Sequence, residues 1–158
     1  MEVLTLPRGG RSLKYDDPSL QVRVLVVDDH EPFRRFVAST LEKQPSLQII
    51  GEAQDGINAV HQAEALQPDL ILLDIGLPGL NGIEVARRIG QTSSDSRIIF
   101  LTQESSADIV REAFNVGARG YVVKTQAARE LLIAVETVLQ GKQFVSGGLE
   151  GHAVASTA

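Results

Sequence analysis

The sequence of 158 residues contains no cysteine, no tryptophan and one methionine, and only 4% of its residues are aromatic. The absence of cysteine excludes disulfides, thiolate nucleophiles and zinc–thiolate sites, and it favours a reducing, cytoplasmic setting. No apolar run approaches the roughly 20 residues that a membrane-spanning helix needs, and residues 1–21 hold no signal-peptide pattern. These absences predict a soluble, unexported protein that does not contact membranes.

Positive charge is also scarce. The 15 Lys and Arg residues are outnumbered by 20 Asp and Glu residues, so the formal net charge is −5. The basic residues are scattered and form no stripe or run of the kind found in DNA-binding domains. The sequence therefore predicts no direct nucleic-acid binding by this chain.

A regular alternation of short β-branched runs and helix-period segments fills most of the chain. Five such repeats can be counted, and this alternation is typical of strands and crossover helices around a parallel sheet. We therefore predict an α/β fold with a doubly wound, five-stranded parallel sheet and five helices. The predicted strands cover residues 22–27, 47–53, 69–73, 97–101 and 119–123.

Both ends of the chain lack this alternation. Residues 1–20 mix charged residues, glycine and proline without periodicity, and we predict a flexible N-terminal extension there. Residues 146–158 are small and mostly polar, which predicts a linker-like tail without an output domain. The ordered domain is therefore predicted to span residues 21–145.

Two helix starts carry capping signals. Asp55 precedes the second predicted helix and can cap it. The segment Asn81-Gly82-Ile83-Glu84 matches a capping box that opens the third helix. These signals place the ends of the second and third predicted strands close to helix N-termini.

Carboxylates follow the first and third predicted strands. Asp28 and Asp29 close the first strand, and Asp74 closes the third. Because the carboxyl ends of the strands in such a sheet share one rim, we expect these acids to meet in one crevice. Two carboxylates about 4 Å apart repel by roughly 4 kcal/mol at an effective dielectric near 20, and a divalent cation reverses that cost. We predict Mg²⁺, with Mn²⁺ as an alternative, held by these acids and the Gly76 backbone carbonyl.

Thr102 and Lys124 follow the fourth and fifth predicted strands and so belong to the same rim. Taken singly, each has an ordinary interpretation: an Asp pair caps a helix, a Thr ends a strand, and a Lys is a solvated charge. Their shared register favours a phosphoryl-handling site instead. Asp74, on the middle strand, is the candidate nucleophile toward phosphorus, and Lys124 and Thr102 are candidates to hold the phosphoryl oxygens.

Together these motifs resemble the receiver domain of bacterial two-component response regulators over about residues 21–145. The Asp-Asp-His opening and the Gly-Ala-Arg-Gly-Tyr segment are most similar to the NarL/FixJ subfamily, whose receivers precede a LuxR-type helix-turn-helix. The resemblance implies a flavodoxin/CheY-like sheet with strand order 2-1-3-4-5. The matching segments are Val26-Val27-Asp28-Asp29-His30, Leu73-Asp74-Ile75-Gly76-Leu77-Pro78-Gly79-Leu80-Asn81-Gly82, Leu101-Thr102 and Gly117-Ala118-Arg119-Gly120-Tyr121-Val122-Val123-Lys124.

The resemblance also implies a function. A sensor histidine kinase or phosphotransfer protein would donate a phosphoryl group to Asp74, and Tyr121 would reposition when Thr102 turns toward the phosphate. The domain would be a switch that controls a partner or output domain, with self-phosphotransfer and slow autodephosphorylation as its only chemistry. The resemblance also implies a homodimer. Its surface would be formed by the fourth predicted helix (residues 105–117), the fifth strand and the fifth helix (residues 127–140), or by the fifth helix and the first, which begins after His30.

Two positions depart from the family pattern. Gln103 follows Thr102 where many members have a smaller residue, so it would narrow the access of attacking water and lengthen the life of the acyl phosphate. Thr125 follows Lys124 where proline is common, so a proline-type cis peptide bond is unavailable there.

Three other functions stay open at this point. A phosphatase of the aspartyl-phosphate type generally carries a second acid two residues after its nucleophile, and here that position is Gly76. A phosphorylation-independent docking module would need the fold but not the acids, Thr102 or Lys124. The chain also matches what a truncated LuxR-type DNA-binding transcriptional regulator would retain.

Overall fold

A computed structural model of the chain describes residues 20–149, so the predicted N-terminal extension up to residue 19 and the tail from residue 150 lie outside the described residues. In this part, none of the helices combines the length and apolarity needed to cross a bilayer. The strands are β1 (Val22–Val27), β2 (Leu47–Ala53), β3 (Leu70–Leu73), β4 (Arg97–Thr102), β5 (Gly120–Val123) and β6 (Phe144–Val145). The helices are α1 (Glu31–Leu41), α2 (Gly56–Leu66), α3 (Gly82–Thr92), α4 (Ala107–Asn115) and α5 (Ala127–Leu139), with a 3₁₀ turn at Lys124–Gln126.

The strands form one parallel sheet in the order β2-β1-β3-β4-β5-β6. The predicted α/β fold and the order 2-1-3-4-5 are confirmed for the first five strands. The sheet holds one strand more than the five predicted, because Phe144 and Val145 pair with Gly120 and Tyr121 at the edge of β5. A two-residue strand is too short to show an alternating pattern, so the sequence offers no periodic signal for it.

Helices cover both faces of the sheet, and β1 shows how. Leu25 and Val27 contribute to a core beneath α2, α3 and α4, whereas Val24 and Val26 contribute to a second core beneath α1 and α5. Because successive side chains of a strand point to opposite faces, a strand covered on both sides must be apolar throughout. This explains why β3 is a continuous hydrophobic run and why β1 and β4 are apolar apart from Arg23 near the start of β1, Arg97 at the start of β4 and Thr102 at its end.

The helix cap predicted at Asp55 is present, and of the capping box predicted at Asn81 and Glu84 only the Asn81 hydrogen bond is present. The Asp55 side chain accepts a hydrogen bond from the Asn58 N–H at 2.8 Å, as an N-cap does. Asn81 accepts from the Glu84 N–H at 3.1 Å, but the Glu84 carboxylate pairs with Arg87 and Arg88 on its own helix. The start of α3 is therefore capped from one side only.

The start of α3 also lies directly against the end of β3. A Cβ atom at Gly82 would come within 2.1 Å of the Asp74 carbonyl oxygen and 2.7 Å of the Ile75 Cα. No side chain fits at that distance, so a glycine is required for this close approach. The contact fixes the backbone of Asp74 from the outside of the strand.

The chain stays packed on the sheet after β6. Ser146 is fully buried, and its N–H donates to the Tyr121 carbonyl at 2.9 Å. Its hydroxyl accepts from the Val123 N–H at 2.8 Å and donates to the Glu130 carboxylate at 2.6 Å. The packed part of the chain therefore continues past the predicted border at residue 145.

Candidate functional site

The predicted site residues meet at the carboxyl end of the sheet. Asp28 follows β1, Asp74 follows β3, Thr102 is the last residue of β4, and Lys124 opens the turn after β5. An open cleft of about 460 Å³ lies over these strand ends. Its walls include Asp29, Asp74, Gly76, Thr102, Gln103 and Lys124.

Lys124 is the centre of the polar contacts. Its Nζ lies 2.7 Å from Oδ2 of Asp28 and 3.0 Å from Oδ2 of Asp74. The ammonium also lies 4.5 Å from the centroid of the Phe33 ring, within the range of a cation–π contact. One cation thus joins the acids of two strands, and a ring of α1 covers it.

The electrostatics of the site follow from burial and from these contacts. Burial raises the pKa of Asp28, because a buried carboxylate loses hydration, and the hydrogen bonds from Lys124 and the His30 N–H oppose the rise. Burial alone would lower the pKa of Lys124, but the hydrogen bonds to Asp28 and Asp74 outweigh it and the pKa is raised. Lys124 therefore keeps its proton at neutral pH.

The three acids also form a group that suits a hard cation. One carboxylate oxygen from each of Asp28, Asp29 and Asp74 lies within 4.8 Å of the others, and it is the one such group of acids or histidines in residues 20–149. Asp28 and Asp74 are buried, whereas Asp29 is exposed toward solvent. Three oxygen donors with an open side fit Mg²⁺ or Mn²⁺ and leave room for water or a phosphate group.

The turn after Asp74 supplies backbone groups to the same place. The Gly76 N–H donates to Oδ1 of Asp74 at 3.3 Å, and Gly76 lines the cleft. The Ile75 carbonyl already accepts hydrogen bonds from Leu77 and Gly82. This favours the Gly76 carbonyl as the backbone ligand of the turn.

Thr102 and Tyr121 are both buried and both bond to the backbone of Glu104. The Thr102 hydroxyl accepts from the Glu104 N–H at 3.4 Å, and the Tyr121 hydroxyl donates to the Glu104 carbonyl at 2.9 Å. Burial raises the pKa of Tyr121 well above its usual range. The loop after β4 is therefore held by the two residues whose movements the family resemblance had linked.

Two contributors to the site were missed by the sequence reasoning. Phe33 carries no motif that marks it as a site residue, although its position four residues after Asp29 places it over the strand ends. Glu104 takes part through its backbone, which carries no sequence signal. Of the two departures from the family pattern, Gln103 is exposed and lines the cleft, and no cis peptide bond occurs in the described part of the chain, Thr125 included.

Comparison with known proteins places this constellation in a family. Residues 24–136 match the response regulator receiver domain. The chain belongs to the response regulator receiver family. This is a signalling domain of two-component systems and not a dedicated enzyme family. The comparison therefore confirms the predicted function as a response-regulator receiver domain.

Curated relatives of this receiver domain are bacterial regulators. It is 37% identical over 134 residues to the transcriptional regulatory protein LiaR of Bacillus subtilis, covering 85% of this chain and 64% of LiaR. It is 33% identical over 133 residues to the nitrate/nitrite response regulator NarL of Escherichia coli K12, covering 84% and 62%. The chain thus spans less than two thirds of the length of either relative.

Solved structures give the same result. A LuxR-family two-component response regulator from Aurantimonas sp. superposes with a TM-score of 0.80 at 31% identity, over 87% of this chain and 98% of that one. The signal receiver domain of the NarL-type regulator of Mycobacterium tuberculosis gives 0.73 at 34% identity, over 77% and 98%. The predicted similarity of this receiver domain to the NarL/FixJ subfamily is confirmed.

Proposed function

We propose that this receiver domain accepts a phosphoryl group on Asp74, in a Mg²⁺-dependent reaction, from a sensor histidine kinase or a phosphotransfer protein. The observation that carries the proposal is the bridge from Lys124 to Asp28 and Asp74, which joins one cation to two buried acids, and both Lys124 and Asp74 line an open cleft. Phosphorylation then changes the conformation of the domain and so controls an output domain or a partner.

Asp28, Asp29, Asp74 and the Gly76 carbonyl are the residues that would hold Mg²⁺ or Mn²⁺. When bound there, the ion supplies positive charge beside the phosphoryl oxygens. Without it, the three carboxylates and the single Lys124 ammonium leave two formal negative charges in the cleft, which would repel an incoming phosphate.

The transfer step needs little from the protein beyond positioning and charge. A carboxylate oxygen of Asp74 forms the new bond to phosphorus as the phosphorus–nitrogen bond of the donor phosphohistidine breaks, and its electron pair returns to the imidazole nitrogen. Lys124 already lies 3.0 Å from Asp74 and can donate a hydrogen bond from one of its three N–H groups to a phosphoryl oxygen. Thr102 ends the neighbouring strand and supplies a hydroxyl donor.

The switch is proposed to run through the Glu104 backbone. A Thr102 hydroxyl that turns to a phosphoryl oxygen gives up its contact with the Glu104 N–H, and the loop that also holds the Tyr121 hydroxyl is then freed to move. Moving a two-state equilibrium from 1:99 to 99:1 takes about 5.5 kcal/mol. Two or three charge-assisted hydrogen bonds, at about 1.5–3 kcal/mol each, reach that size.

Gly76 stands where an aspartyl-phosphate phosphatase carries its second acid, so we infer slow autodephosphorylation and no rapid turnover.

We place the domain in the cytoplasm. Its partners are the kinase, a second copy of the chain or an output domain, and it does not bind nucleic acid directly. Because the curated relatives are longer transcriptional regulators, a DNA-binding output beyond this receiver domain is the second candidate arrangement.

Incubation with Mg²⁺ and acetyl phosphate, followed by intact-mass measurement, tests the proposal. We expect a stable gain of one phosphoryl group that is absent without Mg²⁺ and absent in Asp74→Asn, but present in the exposed control Asp108→Asn. Release of phosphate without accumulation would support a phosphatase. No reaction at all would support a phosphorylation-independent docking module.

A further inference from the structure

We propose that Arg34 is a positioning residue for the acid cluster, which holds the peptide between Asp28 and Asp29 so that both carboxylates reach the same cation. The inference rests on the proposed Mg²⁺ site and deepens it. It concerns a residue of α1 that lies behind the cleft and does not line it.

Arg34 is the only Lys or Arg that is buried among residues 20–149. Its Nη1 donates to the Asp28 carbonyl oxygen at 2.7 Å. Its Nε donates to the Glu52 carboxylate at 2.8 Å, and the Glu52 side chain is 46% exposed to solvent. The two branches of one guanidinium therefore connect the end of β1 with β2.

Stability alone gives a weak reason for such an arrangement. A buried charge loses hydration, and a pairing with an acid as exposed as Glu52 is weakened by solvent screening, so the ion pair offsets little of that cost. The other buried residues of α1 include the apolar Val37 and Leu41, and methionine replaces arginine with an unbranched apolar side chain. What only the guanidinium supplies is the hydrogen bond to the Asp28 carbonyl.

That carbonyl belongs to the peptide group that joins the two adjacent acids. Asp28 is otherwise held by its N–H, which donates to the Ala53 carbonyl at 3.0 Å, by Oδ1, which accepts from the His30 N–H at 2.8 Å, and by Oδ2, which lies 2.7 Å from Lys124 Nζ. Rotation of the Asp28–Asp29 peptide would leave the first of these bonds intact while turning the Asp29 carboxylate away. The Arg34 contact opposes that rotation, and so it sets how the exposed acid points relative to the buried one.

The chain offers a matched control. Arg35 is the next residue of α1, but its side chain is 75% exposed and pairs with Glu31 at 3.1 Å on the surface. Arg34→Met and Arg35→Met remove the same charge from the same helix. Only the first removes a contact with the backbone of the acid cluster.

The experiment measures the Mg²⁺ dissociation constant by isothermal titration calorimetry, together with the free energy of unfolding in urea. Loss of a residue that orients metal ligands costs roughly 10–100-fold in metal affinity, and we expect a loss in that range for Arg34→Met and none for Arg35→Met. Glu52→Gln keeps the donor to Asp28 and should lower stability with an unchanged Mg²⁺ affinity. The metal-free amide NMR shifts of Asp29 and His30 should move in Arg34→Met and not in Glu52→Gln.

A folded Arg34→Met protein with the Mg²⁺ affinity of the parent would overturn the inference. If that variant does not fold in buffer alone, the same titration in an osmolyte such as sucrose decides, because excluded osmolytes favour the folded state: weakened Mg²⁺ binding supports the positioning role, and parent-like binding overturns it. Failure of the parent itself to bind Mg²⁺ would refute the proposed function, which is a different result from parent-like binding by Arg34→Met.

Discussion

Nζ of Lys124 lies 3.0 Å from Oδ2 of Asp74, although β4 separates the strands from which the two residues extend. The same ammonium reaches Asp28, one strand further along the sheet, at 2.7 Å. The lysine side chain therefore extends from the end of β5 across the site and contacts the acids that follow β3 and β1. Without this cation, the two buried acids would face each other directly.

Lys124→Met should lower the stability of the domain at neutral pH, because it leaves Asp28 and Asp74 without their shared cation. The pKa of Lys124 is raised in the folded state, so its stabilising contribution is complete below the unfolded value of 10.5 and is lost as the pH rises through the folded value. We therefore expect the difference in unfolding free energy between the parent and Lys124→Met to narrow as the pH is raised beyond 10.5. Urea unfolding at a series of pH values measures this difference.

Lys142→Met serves as the control for this pH series, since Lys142 is exposed after α5. Its difference from the parent should stay small and should not depend on pH in the same way. A gap between parent and Lys124→Met that is constant across the alkaline range would show that the Lys124 charge does not stabilise the fold.

Gln103→Ala should shorten the life of the phosphorylated protein. Gln103 is exposed, follows Thr102 directly and forms part of the cleft wall, so its side chain is placed to obstruct water on its way to the acyl phosphate. We expect dephosphorylation to accelerate by up to about tenfold, which corresponds to about 1.4 kcal/mol of barrier. Loss of the phosphorylated mass with time measures the rate, and Gln91→Ala, exposed on α3, controls for loss of an amide elsewhere. Equal lifetimes for Gln103→Ala and the parent would dispose of the idea.

The acid site was predictable from the sequence because one geometric rule governs it. Asp28, Asp74, Thr102 and Lys124 each follow a hydrophobic run, and parallel strands deliver their ends to one rim. No distance information is needed for that argument. The burial of Asp28 and Asp74 follows as well, because both continue strands that are covered on both faces.

The contacts behind the site were not predictable in this way. Arg34 lies on α1, where a charged residue ordinarily points to solvent, and only the fold reveals that its guanidinium turns inward to the Asp28 carbonyl. Glu104 acts through its N–H and carbonyl, which every residue carries. Ser146 stands in a small, polar segment that is typical of a linker, and its burial depends on the Glu130 and Val123 partners that α5 and β5 supply.

Ser146→Ala should destabilise the domain by about 1–3 kcal/mol, the usual cost of leaving a buried polar group without its partner. The change removes the acceptor of the Val123 N–H and the donor to the Glu130 carboxylate while the β6 backbone pairing remains. Urea unfolding measures the loss. Ser94→Ala, at an exposed serine after α3, should stay within about 0.5 kcal/mol of the parent. If Ser146→Ala were equally silent, the buried hydroxyl would have no part in holding β6.

Gly82→Ala and Gly90→Ala form a matched pair on α3 and should change stability in opposite directions. A Cβ at Gly90 meets nothing within 4 Å, so alanine there should stabilise the helix by about 0.4–1 kcal/mol through its better helix propensity. A Cβ at Gly82 would lie 2.1 Å from the Asp74 carbonyl oxygen, so the start of α3 or the end of β3 must shift and stability should fall. Unfolding in urea measures both changes.

The same pair tests whether the backbone contact matters to the acid site. A shift at the end of β3 would displace Asp74 relative to Lys124, so Gly82→Ala should also slow phosphorylation by acetyl phosphate under conditions where the variant is folded, whereas Gly90→Ala should react at the parent rate. If the two variants were equally stable and equally reactive, the start of α3 would have shifted without displacing β3. The contact with Gly82 would then have no part in positioning Asp74.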